Sequence, residues 1–212
     1  MNEKIIDVDN RIKLLNSEKI DLNSYLIKKN SLFNLNEFQP VKLVAHPIYN
    51  VESIKITKTV DSQPGYKIIH PYKLKDTNKI IFVDKGWYSN IENNKIIKPI
   101  DSNNNKTIKG IIYYGDTTKY TSNDINKKNF ITTNIKDMSK CYDFENLICK
   151  EYMIKEVLFN EDNLKDNYPV KQTTNDLLFW TITPSKHRSY YRFWITITLF
   201  NILSNFYVWT VI

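Results

Sequence analysis

The last twenty residues of the chain, 193–212, contain no charged side chain. They read FWITITLFNILSNFYVWTVI. A hydrocarbon core of about 30 Å needs about 20 residues of helix to cross it, so the run is just long enough. Trp194 lies near one end, and Tyr207 and Trp209 lie near the other, where amphipathic rings favour the membrane interface. The run therefore predicts a C-terminal transmembrane helix.

Charged residues precede this run, and polar residues interrupt it. The collar before it consists of Lys186, His187, Arg188 and Arg192. The polar residues within it are Thr196, Thr198, Asn201, Ser204, Asn205 and Thr210. These polar residues weaken the hydropathy signal and keep open the alternative of a buried core helix. Because an amide side chain in lipid needs a partner, we expect this helix to pack against another transmembrane helix.

The preceding residues are numerous enough for one globular domain. Residues 3–15 place apolar side chains at helical spacing and predict a short amphipathic helix. Residues 79–89 form the strongest strand pattern, and residues 148–160 fit a final strand or a strand–helix mixture. Pro71 is expected to break the strand at 65–74. Residues 62–65 predict a turn in which Gly65 adopts positive φ.

We therefore predict an α+β fold, with a small antiparallel β-barrel or sandwich, short helices and one C-terminal transmembrane helix. Residues 1–35 form an N-terminal amphipathic helix and connector in this prediction. Residues 36–185 form the soluble β-rich domain, and residues 186–212 form the collar and transmembrane helix.

The composition gives little support to nucleic-acid binding. The net charge is +7, but the 30 basic residues are scattered among 23 acidic ones. The bias toward Asn, Ile, Lys and Tyr is typical of an AT-rich genome. A nucleic-acid-binding barrel is an alternative suggested by the charge and the tyrosines, but it does not explain the apolar tail. No nucleic-acid partner is therefore predicted.

No catalytic or metal-binding motif stands out, so the chain is not predicted to be an enzyme. Cys141 and Cys149 are eight residues apart, which matches neither a zinc knuckle nor a redox pair. His46 and His70 lie beside prolines and are expected to be structural. Asp137 is expected to cap a helix.

Four segments taken together resemble the surfeit locus protein family, the mitochondrial and bacterial assembly factors of cytochrome c oxidase. They are FQPVKLVAHPIYN at 38–50, PGYKIIHPYKL at 64–74, IIFVDKGWYS at 80–89 and KHRSYYRFW at 186–194. Gly86 and Trp87 lie in the third segment, where a bulge at Gly86 would orient the indole of Trp87 as a core anchor or docking residue. The resemblance spans nearly the whole chain in the family's order.

The resemblance implies a site at His187, because the family's corresponding histidine is linked to haem a. Imidazole is a natural axial ligand of haem iron. Tyr190 and Trp194 share a helical face with His187 and would wall the porphyrin. The alternative is that these residues form a cationic collar and an aromatic belt at a membrane surface.

The sequence departs from the family in several places. The family has two transmembrane helices, and only the second is visible here, so the first has been lost, is encoded separately or is missing from a truncated sequence. Lys85 and Ala45 replace the usual Arg and Gly, while Arg188 and Arg192 stand where the family is apolar.

The resemblance implies one of two functions. The first is assembly of cytochrome c oxidase, through haem a handling or through stabilisation of an early intermediate. The second is a permanent accessory subunit of the mature oxidase. The expected partners are oxidase subunits, other transmembrane helices and membrane lipid. The expected location is the mitochondrial inner membrane with the domain in the intermembrane space, or the plasma membrane of a bacterium. The positive residues before the apolar run by themselves predict the opposite orientation, with the domain on the matrix or cytoplasmic side.

Overall fold

A computed structural model describes residues 2–29, 35–49, 51–89, 105–116, 123–148, 152–159, 169–178 and 184–211. It forms two compact units, Met1–Thr174 and Asn175–Ile212. The helices are α1 (Asn2–Leu15), α2 (Leu22–Lys29), α3 (Ile135–Lys140), α4 (Thr174–Leu178) and α5 (Pro184–Val211). The strands are β1 (Ile20–Asp21), β2 (Pro40–Pro47), β3 (Ile54–Val60), β4 (Gln63–Leu74), β5 (Ile80–Ser89), β6 (Lys106–Tyr113), β7 (Asn129–Phe130), β8 (Met153–Leu158) and β9 (Gln172–Thr173).

The first unit is built on a mixed sheet. Five strands pair in a closed circuit, from β2 to β6, β8, β5, β4 and back to β2. Four of these pairings are antiparallel, and β5 runs parallel to β8. The prediction of an antiparallel sheet is wrong for this pair, and also for the short pairs β1–β2, β3–β7 and β8–β9, which are parallel too. An odd number of strands in a closed circuit cannot alternate direction at every pairing, so at least one pair must be parallel.

The two faces of the circuit bury different apolar clusters. Ile81 and Val83 point into a cluster on which α2 packs, whereas Phe82 points into the opposite cluster, which includes Met138 of α3. This division follows from the two-residue period of a strand, because successive side chains point to opposite faces. The continuous apolar run in β5 is therefore explained by burial on both of its faces.

Helix α2 lies in a segment that the sequence analysis assigned to a connector. Asp21 Oδ1 accepts hydrogen bonds from the backbone N–H groups of Asn23 (3.1 Å) and Ser24 (3.3 Å), which fixes the first turn. Leu22 and Leu26 lie one turn apart and are buried. The sequence signal was therefore present as an N-cap aspartate followed by an i, i+4 leucine pair, but it extended over only two turns.

Two predictions about β4 are corrected. The turn before it is centred on Asp61 and Ser62, whose φ angles are +48° and +63°, so Gly65 lies inside the strand. Gly65 allows a close approach between β4 and β5, because a Cβ there would lie 2.6 Å from ring carbons of Trp87.

The strand also continues through Pro71. The Pro71 carbonyl accepts a hydrogen bond from Ile48 N, so the missing N–H of Pro71 faces the end of β2 and interrupts no pairing with β5.

Helix α5, in the second unit, is one continuous helix of 28 residues that contains residues 193–211 of the apolar run. No helix in the described ranges is long and apolar enough to cross a membrane. The prediction of a transmembrane helix at residues 193–212 is therefore not supported. The helical conformation is confirmed, but the threonine, serine and asparagine side chains within the run reduce its hydropathy.

Candidate functional site

The three residues predicted to bind a cofactor all lie on α5. Tyr190 is three residues after position 187, and Trp194 is four residues after Tyr190, so the three positions share a helix face. Tyr190 is 55% exposed and Trp194 is 63% exposed. The backbone of His187 is helical, and its side chain lies outside the described part of the structure. Positions 187 and 194 are about 10 Å apart along the helix axis.

Tyr190 and Trp194 belong to a longer set of exposed apolar side chains on α5. They are Tyr190, Tyr191, Phe193, Trp194, Ile195, Leu199, Phe200, Ile202 and Leu203. We call this set the α5 apolar surface. A surface of this kind is typical of a helix that binds another protein or a lipid surface.

Polar side chains between them bond to the backbone of α5 itself. Thr196 Oγ1 donates to Arg192 O at 3.0 Å, and Thr198 Oγ1 donates to Trp194 O at 2.9 Å. Asn205 Nδ2 donates to a carbonyl one turn earlier at 2.8 Å. Because these three groups already donate to the helix backbone, a partner does not have to supply hydrogen-bond acceptors for them. The α5 apolar surface can therefore contact an apolar partner with little loss of polar hydrogen bonding.

The parallel pair β5–β8 carries a second group of functional side chains. Asp84 is the register partner of Lys155. On this face of the sheet, Lys67 Nζ lies 3.3 Å from Asp84 Oδ2, and Asp84 Oδ1 accepts a hydrogen bond from Gly86 N at 3.0 Å. Lys155 Nζ lies 5.0 Å from the centre of the Tyr113 ring. Asp84 and Lys155 are both buried, so this arrangement places charge deep in the domain.

Burial lowers the pKa of Lys155 to about 7, and repulsion by Lys67 adds to the effect. An amine with this pKa is partly unprotonated near neutral pH, where an ordinary lysine is fully charged. Lys155 can therefore exchange a proton in the physiological range. It is only 8% exposed, which restricts access to its amine.

The opposite face of the same strand pair carries an ion triad. Glu156 contacts Lys85 Nζ through Oε1, and Lys171 Nζ lies 2.8 Å from its Oε2. Glu156 is 5% exposed, so its charge is held almost entirely by these two ammonium groups. The triad connects β5, β8 and the segment before β9.

His70 is a buried structural residue, as the sequence predicted. Its Nε2 lies 3.0 Å from Ile48 O, and its Nδ1 lies 2.8 Å from Ser53 Oγ. A carbonyl oxygen can only accept, so Nε2 carries the hydrogen, and neutral Nδ1 accepts from the serine hydroxyl. Burial, with Lys85 as a further cause, lowers the pKa of His70 to about 4.

A pH dependence of stability follows from His70. The unfolded chain binds a proton at an ordinary histidine pKa near 6.5, whereas the folded protein resists protonation until about pH 4. This contribution to the free energy of unfolding is complete above pH 6.5 and is lost as the pH falls toward 4. We expect a His70→Gln variant to lose less stability than the wild type over this interval, measured by urea denaturation at a series of pH values.

A Ser53→Ala variant is the control for this prediction. It removes a bond to His70 but keeps the imidazole, so its overall stability falls while the pH dependence remains. An unchanged pH dependence in His70→Gln would show that His70 does not cause it.

The remaining sequence candidates are resolved as follows. Asn134, not Asp137, caps α3, because Asn134 Oδ1 accepts from Asp137 N at 3.2 Å. Trp87 is a core anchor, 8% exposed, with Nε1 donating to Lys58 O at 2.8 Å. Cys141 is a free thiol, and Cys149 lies outside the described residues. Within the described ranges, no group of three or more His, Cys, Asp or Glu residues is arranged to hold a metal ion.

Sequence reasoning missed the charged residues of β5 and β8. Asp84–Lys85 and Lys155–Glu156 are adjacent opposite charges within otherwise apolar strands. Such dipeptides indicate buried ion pairs, because an unpaired charge at such a position is too costly. Their mutual pairing could not be predicted, because it depends on the parallel register of two strands about 70 residues apart.

These features define an α+β domain followed in sequence by a helix with an exposed aromatic side. The SURF1 family model matches residues 8–199, and the chain belongs to the SURF1 family. This confirms the resemblance found in the sequence. The family is generally associated with cytochrome c oxidase assembly. A search of curated proteins finds no match to the chain.

Proposed function

We propose that this protein assists the assembly of cytochrome c oxidase by binding an oxidase subunit through the α5 apolar surface. The observation that carries the proposal is the family match over residues 8–199. That match includes the five-stranded circuit and the first half of α5, with positions 187, 190 and 194. The family match therefore covers most of the α5 apolar surface, and Phe200, Ile202 and Leu203 follow the matched residues.

The chemistry of α5 supports an apolar partner. Its exposed aromatic and aliphatic residues would bury apolar area on binding, at roughly 25 cal/mol per Å² before the cost of association. Arg188 and Arg192 lie at the start of the same helix and are exposed. Cations beside an apolar helix surface favour the boundary between a membrane and water. We propose the transmembrane helices of an oxidase subunit as the partner, with lipid beside them.

The proposed location of this protein follows from the oxidase subunit proposed as its partner. We propose the mitochondrial inner membrane, with the first unit in the intermembrane space, and the plasma membrane in a bacterium. The proposal contains no catalytic step, in keeping with a role in assembly.

Haem a handling is a further part of the proposal. The exposed rings of Tyr190 and Trp194 offer a flat apolar contact for a porphyrin, and His187 would supply an imidazole nitrogen as axial ligand. The guanidinium groups of Arg188 and Arg192 would pair with the propionates. Haem a would here be cargo passed to the oxidase.

A specific observation also favours a permanent accessory subunit. Thr196, Thr198 and Asn205 donate to carbonyls of their own helix, so the α5 apolar surface suits a stable interface as well as a transient one. In this second candidate function, α5 stays bound in the mature enzyme and no haem is bound.

One purification distinguishes these functions. The tagged full-length chain is isolated in mild detergent, and its partners are measured by quantitative mass spectrometry together with a haem absorption spectrum. Enrichment of only the haem-containing subunit supports assembly, and a one-to-one ratio with every mature subunit supports the accessory role. Recovery of no oxidase component would refute both.

We expect a His187→Ala variant to lose most of the haem absorbance that remains with the full-length chain after the chain has been separated from the oxidase subunits. The physical reason is loss of the axial nitrogen, while the aromatic contacts of Tyr190 and Trp194 remain. A His46→Ala variant is the matched control, because it removes a histidine from β2 and should keep its haem. Full haem content in His187→Ala would exclude this residue as the ligand.

A further inference from the structure

A cleft of about 620 Å³ opens in the first unit, beside the turn between β4 and β5. The cleft is lined by His46, Lys73, Leu74, Lys75, Asp76, Thr77, Asn78 and Asn105. This volume lies within the range of about 300–1,000 Å³ that is common for small-molecule sites. We call it the β4–β5 cleft.

Positive charge predominates in the β4–β5 cleft. Lys73 and Lys75 are there, with no ion pair to the described carboxylates, and Asp76 is the one acid among the described lining residues. The lysines of the charged strands differ, because Lys67, Lys85 and Lys171 each contact a carboxylate. Ammonium groups left without an acid in a concave site are available to an anionic ligand.

The turn beside the cleft is fixed by hydrogen bonds from three elements. Lys75 N donates to Val44 O of β2 at 2.9 Å, and Asn23 Nδ2 of α2 donates to Lys75 O at 3.0 Å. Leu74 N donates to Lys79 O at 3.0 Å and closes the hairpin. The cleft is therefore pre-organised, which reduces the entropy lost when a ligand binds.

The wall of the cleft also supplies uncharged donors. Thr77 Oγ1 accepts a hydrogen bond from Lys79 N at 3.2 Å, so the hydroxyl hydrogen can still donate to a ligand. Asn78 and Asn105 also line the cleft, and each carries a side-chain amide that is able to donate. Two ammonium groups, a hydroxyl and two amides together match an oxyanion with several acceptor oxygens.

We propose that the β4–β5 cleft binds a phosphate group carried by a small molecule or a lipid headgroup. Lys73 and Lys75 supply the charge, and Thr77, Asn78 and Asn105 supply directed hydrogen bonds. A phosphate monoester has enough oxygens for all of these donors, and the cleft volume leaves room for the organic part of the ligand. This inference is independent of the proposed role in oxidase assembly.

The test uses the full-length protein and phosphate from two sources. Glycerol phosphate and inorganic phosphate are titrated and followed by amide chemical shifts and calorimetry. Vesicles of phosphatidic acid in phosphatidylcholine are tested by flotation against vesicles of phosphatidylcholine alone. Binding of the soluble compounds identifies a metabolite site, and binding only to vesicles that contain phosphatidic acid identifies a headgroup site.

We expect a Lys73→Met, Lys75→Met double variant to bind at least tenfold more weakly than the wild type, which corresponds to about 1.4 kcal/mol. The matched control is Lys13→Met, Lys55→Met, which removes the same net charge away from the cleft and keeps wild-type affinity. Equal weakening in both double variants would mean attraction by net charge alone and would overturn the proposal. So would unchanged affinity in the cleft variant, or no binding of any phosphate source.

Discussion

Replacing Glu156 by Gln is expected to lower the free energy of unfolding by about 3 kcal/mol, because it leaves two lysines without their shared carboxylate. Glu156 is 5% exposed, and the side chains of Lys85 and Lys171 are 19% and 29% exposed. Removing one partner of a buried ion pair is costly because the remaining charge stays desolvated. Urea denaturation at pH 7 with far-ultraviolet circular dichroism measures the change.

The matched control is Glu145→Gln, the same substitution at an exposed carboxylate, for which a change within about 0.5 kcal/mol is expected. A second variant tests the mechanism. Adding Lys85→Met to Glu156→Gln removes one of the two uncompensated ammonium groups and should recover part of the lost stability. A Glu156→Gln variant as stable as the control would show that the triad does not stabilise the fold. A double variant without recovery would show that the uncompensated charge of Lys85 is not the cause of the loss.

Local structure was largely predictable from the sequence. The strand at residues 79–89 was predicted from its apolar run and is observed as β5, Ile80–Ser89. The helix at residues 3–15 was predicted from its period and is observed as α1, Asn2–Leu15. Both patterns extend over ten residues or more, so they determine the local secondary structure more strongly than contacts with other segments do. The shorter α2 has only two buried leucines and was missed.

The way the strands close on one another was not predictable. The circuit depends on β4 pairing with both β5 and β2, and on β5 pairing in parallel with β8. These contacts are set by the packing of both faces, which no local pattern encodes. The antiparallel prediction failed at β5–β8 because a five-membered circuit requires a parallel pair, and the number of its strands was unknown.

The turn before β4 shows how a strong local signal can mislead. Pro64–Gly65 is typical of a type II turn, but the chain turns two residues earlier, at Asp61 and Ser62. Both residues have positive φ, which matches a two-residue hairpin with the twist of its strands. Gly65 is instead required by the neighbouring strand β5, because a Cβ there would clash with Tyr88 O and lie 2.6 Å from ring carbons of Trp87. Sequence alone does not reveal these contacts between strands.

The candidate sites differ in how much of each could be predicted from the sequence. Positions 187, 190 and 194 were found because helical spacing and the family motif both lie within one short segment. The β4–β5 cleft combines residues from β2, the end of β4, the turn after it and Asn105 just before β6, so it becomes visible only after folding. The charged strand pair falls between these cases, since its charges are visible in the sequence but their partners are not.

Replacing Gly86 by Ala is expected to destabilise the protein by roughly 2–4 kcal/mol, because two separate costs coincide at this position. Its φ is +111°, which L-residues rarely adopt. A Cβ there would lie 2.7 Å from Val170 O, and that oxygen already accepts the Trp87 N–H at 2.8 Å. Relief of the clash would therefore break the backbone bridge between Trp87 and Val170.

The bulge explains why glycine stands here. Trp87 pairs with Lys67 and Asp84 pairs with Ile69, so Lys85 and Gly86 together face one residue of β4. This extra residue turns β5 so that Asp84 Oδ1 can accept the Gly86 N–H, while Lys85 reaches Glu156 on the other face. Gly86→Ala should therefore weaken the ion triad as well as the strand.

Thermal denaturation compared with Thr59→Ala, an exposed strand position, measures the effect of Gly86→Ala. The control should cost less than about 1 kcal/mol, which is the span of strand propensity. The bulge also predicts coupling between sites. In Gly86→Ala, a further Glu156→Gln change should cost less than it does in the wild type, because the triad is already disturbed. If the effects of the two substitutions were fully additive, the bulge would have no influence on the triad. The clash with Val170 would then be the cause of the destabilisation by Gly86→Ala.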